Sequence, residues 1–273
     1  MKGKIFIFKD QRELAEKFSD LLMEMIAYDP SLQTRDGNLV VNPAIPRLKA
    51  AIPRLQRGIT SGSSRFDLAI SGGSTPQIVF SALATKYADS PLWQKTHFWW
   101  VDERMVPPDH PESNFGVANR LLFSKINIPE KNIHRIKGEN EPQLEAESYA
   151  QQLNSQVPAQ ISRPVFDLII LGLGDDGHTA SIFPDQLELL ESDLICAVAH
   201  HPVSGQARVT LTGNQINHAS EICFLVTGVN KAERLSEIAA GGKKAKPLPA
   251  SYIHPENGEL FWYCDAGAAE LLP

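Results

Sequence analysis

Apolar and polar side chains alternate over residues 1–10, the period of a strand, and over 11–25 the apolar positions fall at helical spacing. Short apolar runs recur at 66–70, 97–101 and 166–171. Further strand signals lie near Ile195, over 221–227 and over 260–264, and helix signals fall between strands through Glu147. Alternation of this kind predicts an α/β chain with a mostly parallel, doubly wound sheet. No internal repeat or low-complexity stretch interrupts it.

Open α/β sheets place their chemistry at the carboxyl ends of strands, and three of these runs end in unusual turns. The run at 166–171 breaks at Gly172 and Gly174 and delivers Asp175, Asp176, Gly177 and His178. Glycine there suits a close backbone approach to a ligand, since it tolerates positive φ. An imidazole, with an ordinary pKa of about 6.5, moves protons near neutrality. The spacing Gly172-x-Gly174-x-x-Gly177, with the acidic Asp193 about twenty positions on, matches the dinucleotide fingerprint. Two carboxylates and a histidine would crowd a pyrophosphate, so a nicotinamide cofactor is disfavoured and none is expected.

The run at 66–70 leads into Ser71, Gly72, Gly73, Ser74, Thr75 and Pro76. Two glycines can turn their N–H groups toward one point, two hydroxyls can donate, and proline suits the start of a helix. Loop N–H groups and a helix N-terminus together form an anion site, and an ordinary capped turn is the structural alternative. The third run, 97–101, ends in Asp102, Glu103 and Arg104. Strand side chains alternate, so Asp102 and Arg104 share a face and Glu103 opposes them; a surface salt bridge would also account for this run. Ser113 or Asn114 is placed to cap a helix carrying Val117, Leu121 and Leu122.

Composition narrows the class. At 273 residues and 42% hydrophobic, the chain can bury a full core as one domain over 1–273. It has no apolar run near the roughly 18 residues of a membrane span, and the N-terminal run is too short for a signal peptide. Cys196, Cys223 and Cys264 are too few and scattered for a disulfide framework or a zinc site, and read as buried reduced thiols of a cytoplasmic protein. His200 and His201 are adjacent and cannot share a helical face, so no metal site is expected. A net charge of −6 argues against nucleic acid and requires any anion site to be local.

Taken in order, the 71–76 loop, Asp102-Glu103-Arg104 with Ser113-Asn114, and the 172–184 segment ending in Ser181-Ile182-Phe183-Pro184 resemble the 6-phosphogluconolactonases. Later blocks do so too: Arg208-Val209-Thr210-Leu211-Thr212 with Asn217 and Ala219, Gly228 to Ala232, and 258–269. The resemblance spans about 66–269. It implies a three-layer α/β/α sandwich, the shape shared with sugar-phosphate isomerases. It also implies a phosphorylated sugar lactone as the small-molecule partner, with hydrolysis of 6-phospho-D-glucono-1,5-lactone to 6-phosphogluconate in the oxidative pentose phosphate pathway.

In that chemistry the loop at Ser71, Gly72, Gly73, Ser74 and Thr75 anchors phosphate, and the family's pattern adds Arg208 and Lys231 as cations. His178 takes the proton of the attacking water and returns it to the ring oxygen. Asp176 or Asp102 orients the imidazole, and Arg104 or glycine-loop N–H groups hold the oxyanion. The nucleophile elbow G-x-S-x-G is absent and no covalent step is required. A monomer or small homo-oligomer is expected. The segment 29–63 is longer than the usual link and reads as a surface elaboration, with Leu48, Ile52 and Leu55 at short-helix spacing. A glucosamine-6-phosphate deaminase is the rival enzyme, but its turn carries an assisting glutamate where this chain has Ile182-Phe183-Pro184. A non-catalytic sugar-phosphate sensor would need a helix-turn-helix, for which the strand-like N-terminus leaves no room.

Overall fold

In a computed structural model of the protein, the described residues are 2–27, 65–160 and 163–273. The expected elaboration at 29–63 and its short helix lie outside them. Strands in chain order are β1 (Lys4–Phe8), β2 (Phe66–Ile70), β3 (Thr96–Trp100), β4 (Asp102–Arg104), β5 (Ile133–His134), β6 (Ala159–Gln160), β7 (Arg163–Pro164), β8 (Leu168–Leu171), β9 (Cys196–His200), β10 (Ala207–Leu211), β11 (Glu221–Val226) and β12 (Glu259–Asp265). The described helices are α1 (Gln11–Ala27), α2 (Ser74–Tyr87), α3 (Asn114–Leu121), α4 (Pro142–Gln156), α5 (Gly213–Asn217), α6 (Ala232–Ala240) and α7 (Gly242–Ala245).

Seven strands form one sheet in the order β1-β12-β11-β8-β2-β3-β5, with every pairing parallel. Strands β2, β8 and β11 are buried at every position, because a parallel sheet is covered on both faces. This explains why their sequences read as unbroken apolar runs rather than alternating ones. The edge strand β1 does alternate, with Ile5 and Ile7 exposed. The architecture is the expected α/β sandwich with a central parallel sheet.

The strand order fixes where a ligand can sit. From β2 the chain winds outward through β3 to β5, then β8 returns to the other side of β2 and winds outward through β11 and β12. Loops leaving β2 and β8 therefore diverge and leave a crevice between them at the carboxyl ends of both strands. The two glycine-rich turns read from the sequence are those two loops.

One expected strand is placed elsewhere. The signal near Ile195 becomes β9, which pairs antiparallel with β10, and β10 with β4, in a separate three-stranded sheet. Val101 N–H donates to Ile70 O and Leu211 N–H donates to Val101 O, so the chain leaves the main sheet at Val101 and begins the second. All three cysteines are free and buried, and burial pushes each thiol up, which keeps them protonated. Among the described residues no helix is long and apolar enough to cross a membrane.

Candidate active site

The loop after β2 runs through two glycines straight into a helix. Gly73 takes φ 104°, a region that side chains disfavour, and α2 begins at the next residue. Its first N–H groups have no partner within the helix. Gly72 must be glycine for another reason: a Cβ there would lie 1.9 Å from Asn114 Oδ1. Asn114 in turn donates through Nδ2 to Asp102 O at 2.9 Å, so it braces the loop against β4. Two of the predicted hydroxyls are partly committed. Ser71 Oγ donates to Ile170 O at 2.9 Å, a contact between β2 and β8 rather than a free donor. Thr75 Oγ1 lies 2.7 Å from Thr227 Oγ1, and one of that pair retains a proton to donate. Ser74, in the first turn of α2, is exposed.

His178 is held from three sides. Its Nδ1 lies 2.5 Å from Asp176 Oδ1, which also accepts its backbone N–H at 3.0 Å. A Nδ1–H donated to a carboxylate leaves Nε2 as the unprotonated nitrogen, without a protein partner among the described residues. Burial raises the Asp176 carboxyl, but the hydrogen bond and charge of His178 outweigh it and bring it down to about 2. The imidazole also packs against Gly174, where a Cβ would lie 2.1 Å from His178 Nδ1, and against the Phe183 ring at 4.9 Å. Of the two carboxylates considered as orienters, Asp176 makes the contact. Asp102 Oδ2 instead accepts from Ser181 Oγ at 2.7 Å, and Ala180 beside it takes φ 53°, a strained value for a residue with a Cβ.

The crowding at Gly174 gives a direct test of this geometry. In Gly174→Ala the imidazole must leave its seat, and kcat falls by about a hundredfold, the scale of a 1 Å misplacement. Gly172→Ala, whose Cβ meets nothing within 4 Å, is the matched comparison and leaves kcat nearly unchanged. Equal kcat values for the two variants would show that the ring position carries no catalytic weight.

The second sheet supplies charge. Asp102 and Arg104 face the cavity together and Glu103 points away, as alternation requires. Glu103 is buried and accepts the N–H groups of Asn114 and Phe115 at 2.7 and 2.8 Å, which caps α3 together with Ser113. Burial lifts its carboxyl to about 7 against the pull of those N–H donors. No salt bridge within Asp102-Glu103-Arg104 accounts for the run. Instead Arg104 stands directly opposite Arg208 in the β4–β10 register. Like charges in that position repel. Neither has a carboxylate partner among the described residues, and the Nε atoms of both are buried without a hydrogen bond. Burial, then the charge of Arg104, depresses the Arg208 pKa. Each arginine keeps one other contact, Arg104 Nη1 donating to Glu112 O at 2.6 Å and Arg208 Nη2 to Gln206 Oε1 at 3.5 Å, and both retain unused donors.

The remaining predicted residue is engaged. Lys231 Nζ is ion-paired with Asp175, whose Oδ1 also accepts from Asn230 Nδ2 at 2.8 Å. Ser71 to Thr75, Asp102, Arg104, His178, Arg208 and Lys231 line one cavity of about 230 Å³. Asp176 stands behind His178. Within the glycine turn, Gly174 N–H donates to His178 O and Gly177 N–H to Gly174 O, so these two N–H groups are not available for an oxyanion and Arg104 is. Sequence reasoning missed Thr227, the bracing role of Asn114, and Phe183 as the ring between His178 and Arg208, whose guanidinium lies 5.7 Å from its centroid. Among the described residues no cluster of three or more metal-ligating side chains occurs.

A glycine-rich loop leading into a helix, two facing arginines and an imidazole oriented by a carboxylate thus meet at the switch point of a parallel sheet, the place where α/β enzymes carry their sites. The chain belongs to the family of glucosamine-6-phosphate isomerases and 6-phosphogluconolactonases, whose family model matches residues 44–262. A 6-phosphogluconolactonase of Haemophilus influenzae is 47% identical over 206 residues, covering 75% of this chain and 87% of the relative. A solved structure named devB protein is 40% identical with a TM-score of 0.81 over 98% of both chains. The 6-phosphogluconolactonase from Thermotoga maritima is 28% identical with a TM-score of 0.70, covering 97% of this chain and 100% of that one.

Proposed function

We propose that the protein is a cytoplasmic, single-domain 6-phosphogluconolactonase that hydrolyses 6-phospho-D-glucono-1,5-lactone to 6-phosphogluconate, without metal or cofactor. The observation that carries this reading is the His178 imidazole, tied at Nδ1 to Asp176 and lining the same cavity as the 71–75 loop and the two facing arginines. The substrate phosphate sits on the N–H groups before α2 with Arg208 and Lys231 as counter-charges. That anchoring sets the lactone carbonyl against His178. Nε2 takes a proton from water as the water oxygen attacks the carbonyl carbon, and the negative charge that develops on the carbonyl oxygen is met by Arg104. When the bond to the ring oxygen breaks, His178 returns the proton to it. Asp176 holds the ring in the required tautomer and balances the imidazolium formed in between.

The family includes isomerases, and the turn after His178 supports the lactonase reading. Ile182 and Phe183 are fully buried apolar residues, so no carboxylate stands there to assist proton transfer between carbons. The test is to supply two substrates to the purified protein. Acid is released from fresh 6-phosphogluconolactone above its spontaneous rate, and no ammonia from glucosamine 6-phosphate. Chelator leaves the first rate unchanged, because an oriented base and a guanidinium meet the needs of ester-type hydrolysis. Ammonia release, or loss of lactonase activity with chelator and recovery on adding zinc, would contradict the proposal.

A further inference from the structure

One ion pair, Lys231 with Asp175, lies at the cavity wall. Lys231 is mostly buried, with 19% of its side chain exposed, whereas its partner Asp175 is 72% exposed. The Asp175 carboxylate lies beside the residues that lead into α6, accepts from Lys231 Nζ and Asn230 Nδ2, and its backbone carbonyl accepts from Arg234 Nε at 3.2 Å. A carboxylate so placed, at the start of a helix and on a lysine ammonium, occupies the kind of position an external anion would take. Both residues line the cavity.

We propose that Asp175 is an internal competitor for the phosphate group: its carboxylate holds Lys231 in the empty protein, the ligand dianion displaces it, and it returns when product leaves. This rests on the reading of the cavity as a sugar-phosphate site. The exchange is balanced in a way that permits it. The Lys231 ammonium passes from one anion to another without being left unpaired. The exposed carboxylate regains water on release, so the pair itself is of the weak, solvent-screened kind. Asp175 therefore lowers phosphate affinity, opposite to what a binding residue does, and limits retention of the phosphorylated product.

Calorimetric titration of inorganic phosphate and of 6-phosphogluconate into the intact chain tests this, with thermal melts confirming that each variant is folded. Asp175→Asn keeps the size and an acceptor for Asn230, and binds both ligands about two- to tenfold more tightly than wild type. Asp175→Ala gives the same direction. Lys231→Ala binds more weakly, and adding Asp175→Asn to it brings no gain. Unchanged or weaker binding by both Asp175 variants overturns the inference, as does an equal gain in the Lys231→Ala background, which would mean bulk repulsion rather than this pair. A wild type that binds phosphate without tightening in the variants refutes the inference alone. If the wild type binds neither ligand, the sugar-phosphate reading itself falls, and the inference with it.

Discussion

In His178→Ala, kcat drops by about a hundred- to ten-thousandfold, the span of general acid–base catalysis, while KM and melting temperature stay near wild type. The separation follows from what the side chain does. Its turn is held by backbone contacts that alanine keeps: Gly174 N–H to residue 178 O, and the residue 178 N–H to Asp176 Oδ1. The ring itself is 29% exposed, so it is not a keystone of the core. What is lost is the one imidazole that, among the described residues, lines the cavity with a carboxylate behind it. Asp176, depressed to about 2, stays ionised across the neutral range and cannot be the group whose protonation removes activity there. A folded variant that keeps more than about a third of the wild-type rate would remove His178 from the mechanism.

Arg208→Ala separates anchoring from chemistry. Charged hydrogen bonds are worth about 1.5–3 kcal/mol, so KM for the phosphorylated lactone rises by roughly ten- to a hundredfold. Some of the binding energy aligns the lactone against His178, so kcat falls as well. With unphosphorylated gluconolactone the anchored group is missing, and wild type and variant perform almost equally. The fold loses no ion pair in this change, because the guanidinium has no carboxylate partner among the described residues and faces another arginine. Steady-state kinetics on both lactones read the outcome. Equal impairment on the two substrates would place Arg208 at the carbonyl or in the fold, not on phosphate.

Much of this site could be read along the chain because its parts are local. The strands β2 and β8 are short apolar runs, and each hands over to its turn within a few residues, so the glycine-hydroxyl loop and the Asp-Asp-Gly-His turn stand out as composition and spacing, while the choice of Asp176 over Asp102 beside His178 does not. The alternation rule places Asp102 and Arg104 on one face from the sequence alone. What stayed hidden depends on pairing between distant segments. The strand β4 is three residues long, and nothing near it says that it will lie against β10 more than a hundred residues later. For that reason the facing of Arg104 and Arg208 was invisible, although both had been singled out separately. The commitment of Ser71 to Ile170 and of Thr75 to Thr227 was hidden for the same reason. Asp175 and Asp176 are adjacent in sequence, yet Asp176 turns to the imidazole and Asp175 to the segment before α6, with Asn230 55 residues downstream.

The central claim is that His178, aligned by Asp176, activates water against a phosphate-anchored lactone. A pH-stat comparison of wild type and His178→Ala on freshly prepared 6-phosphogluconolactone tests it most directly. Acid release well above the spontaneous rate is expected with wild type, and a return close to the spontaneous rate with the folded variant. Wild-type release no faster than the spontaneous reaction, or equal acceleration by both proteins, would contradict it.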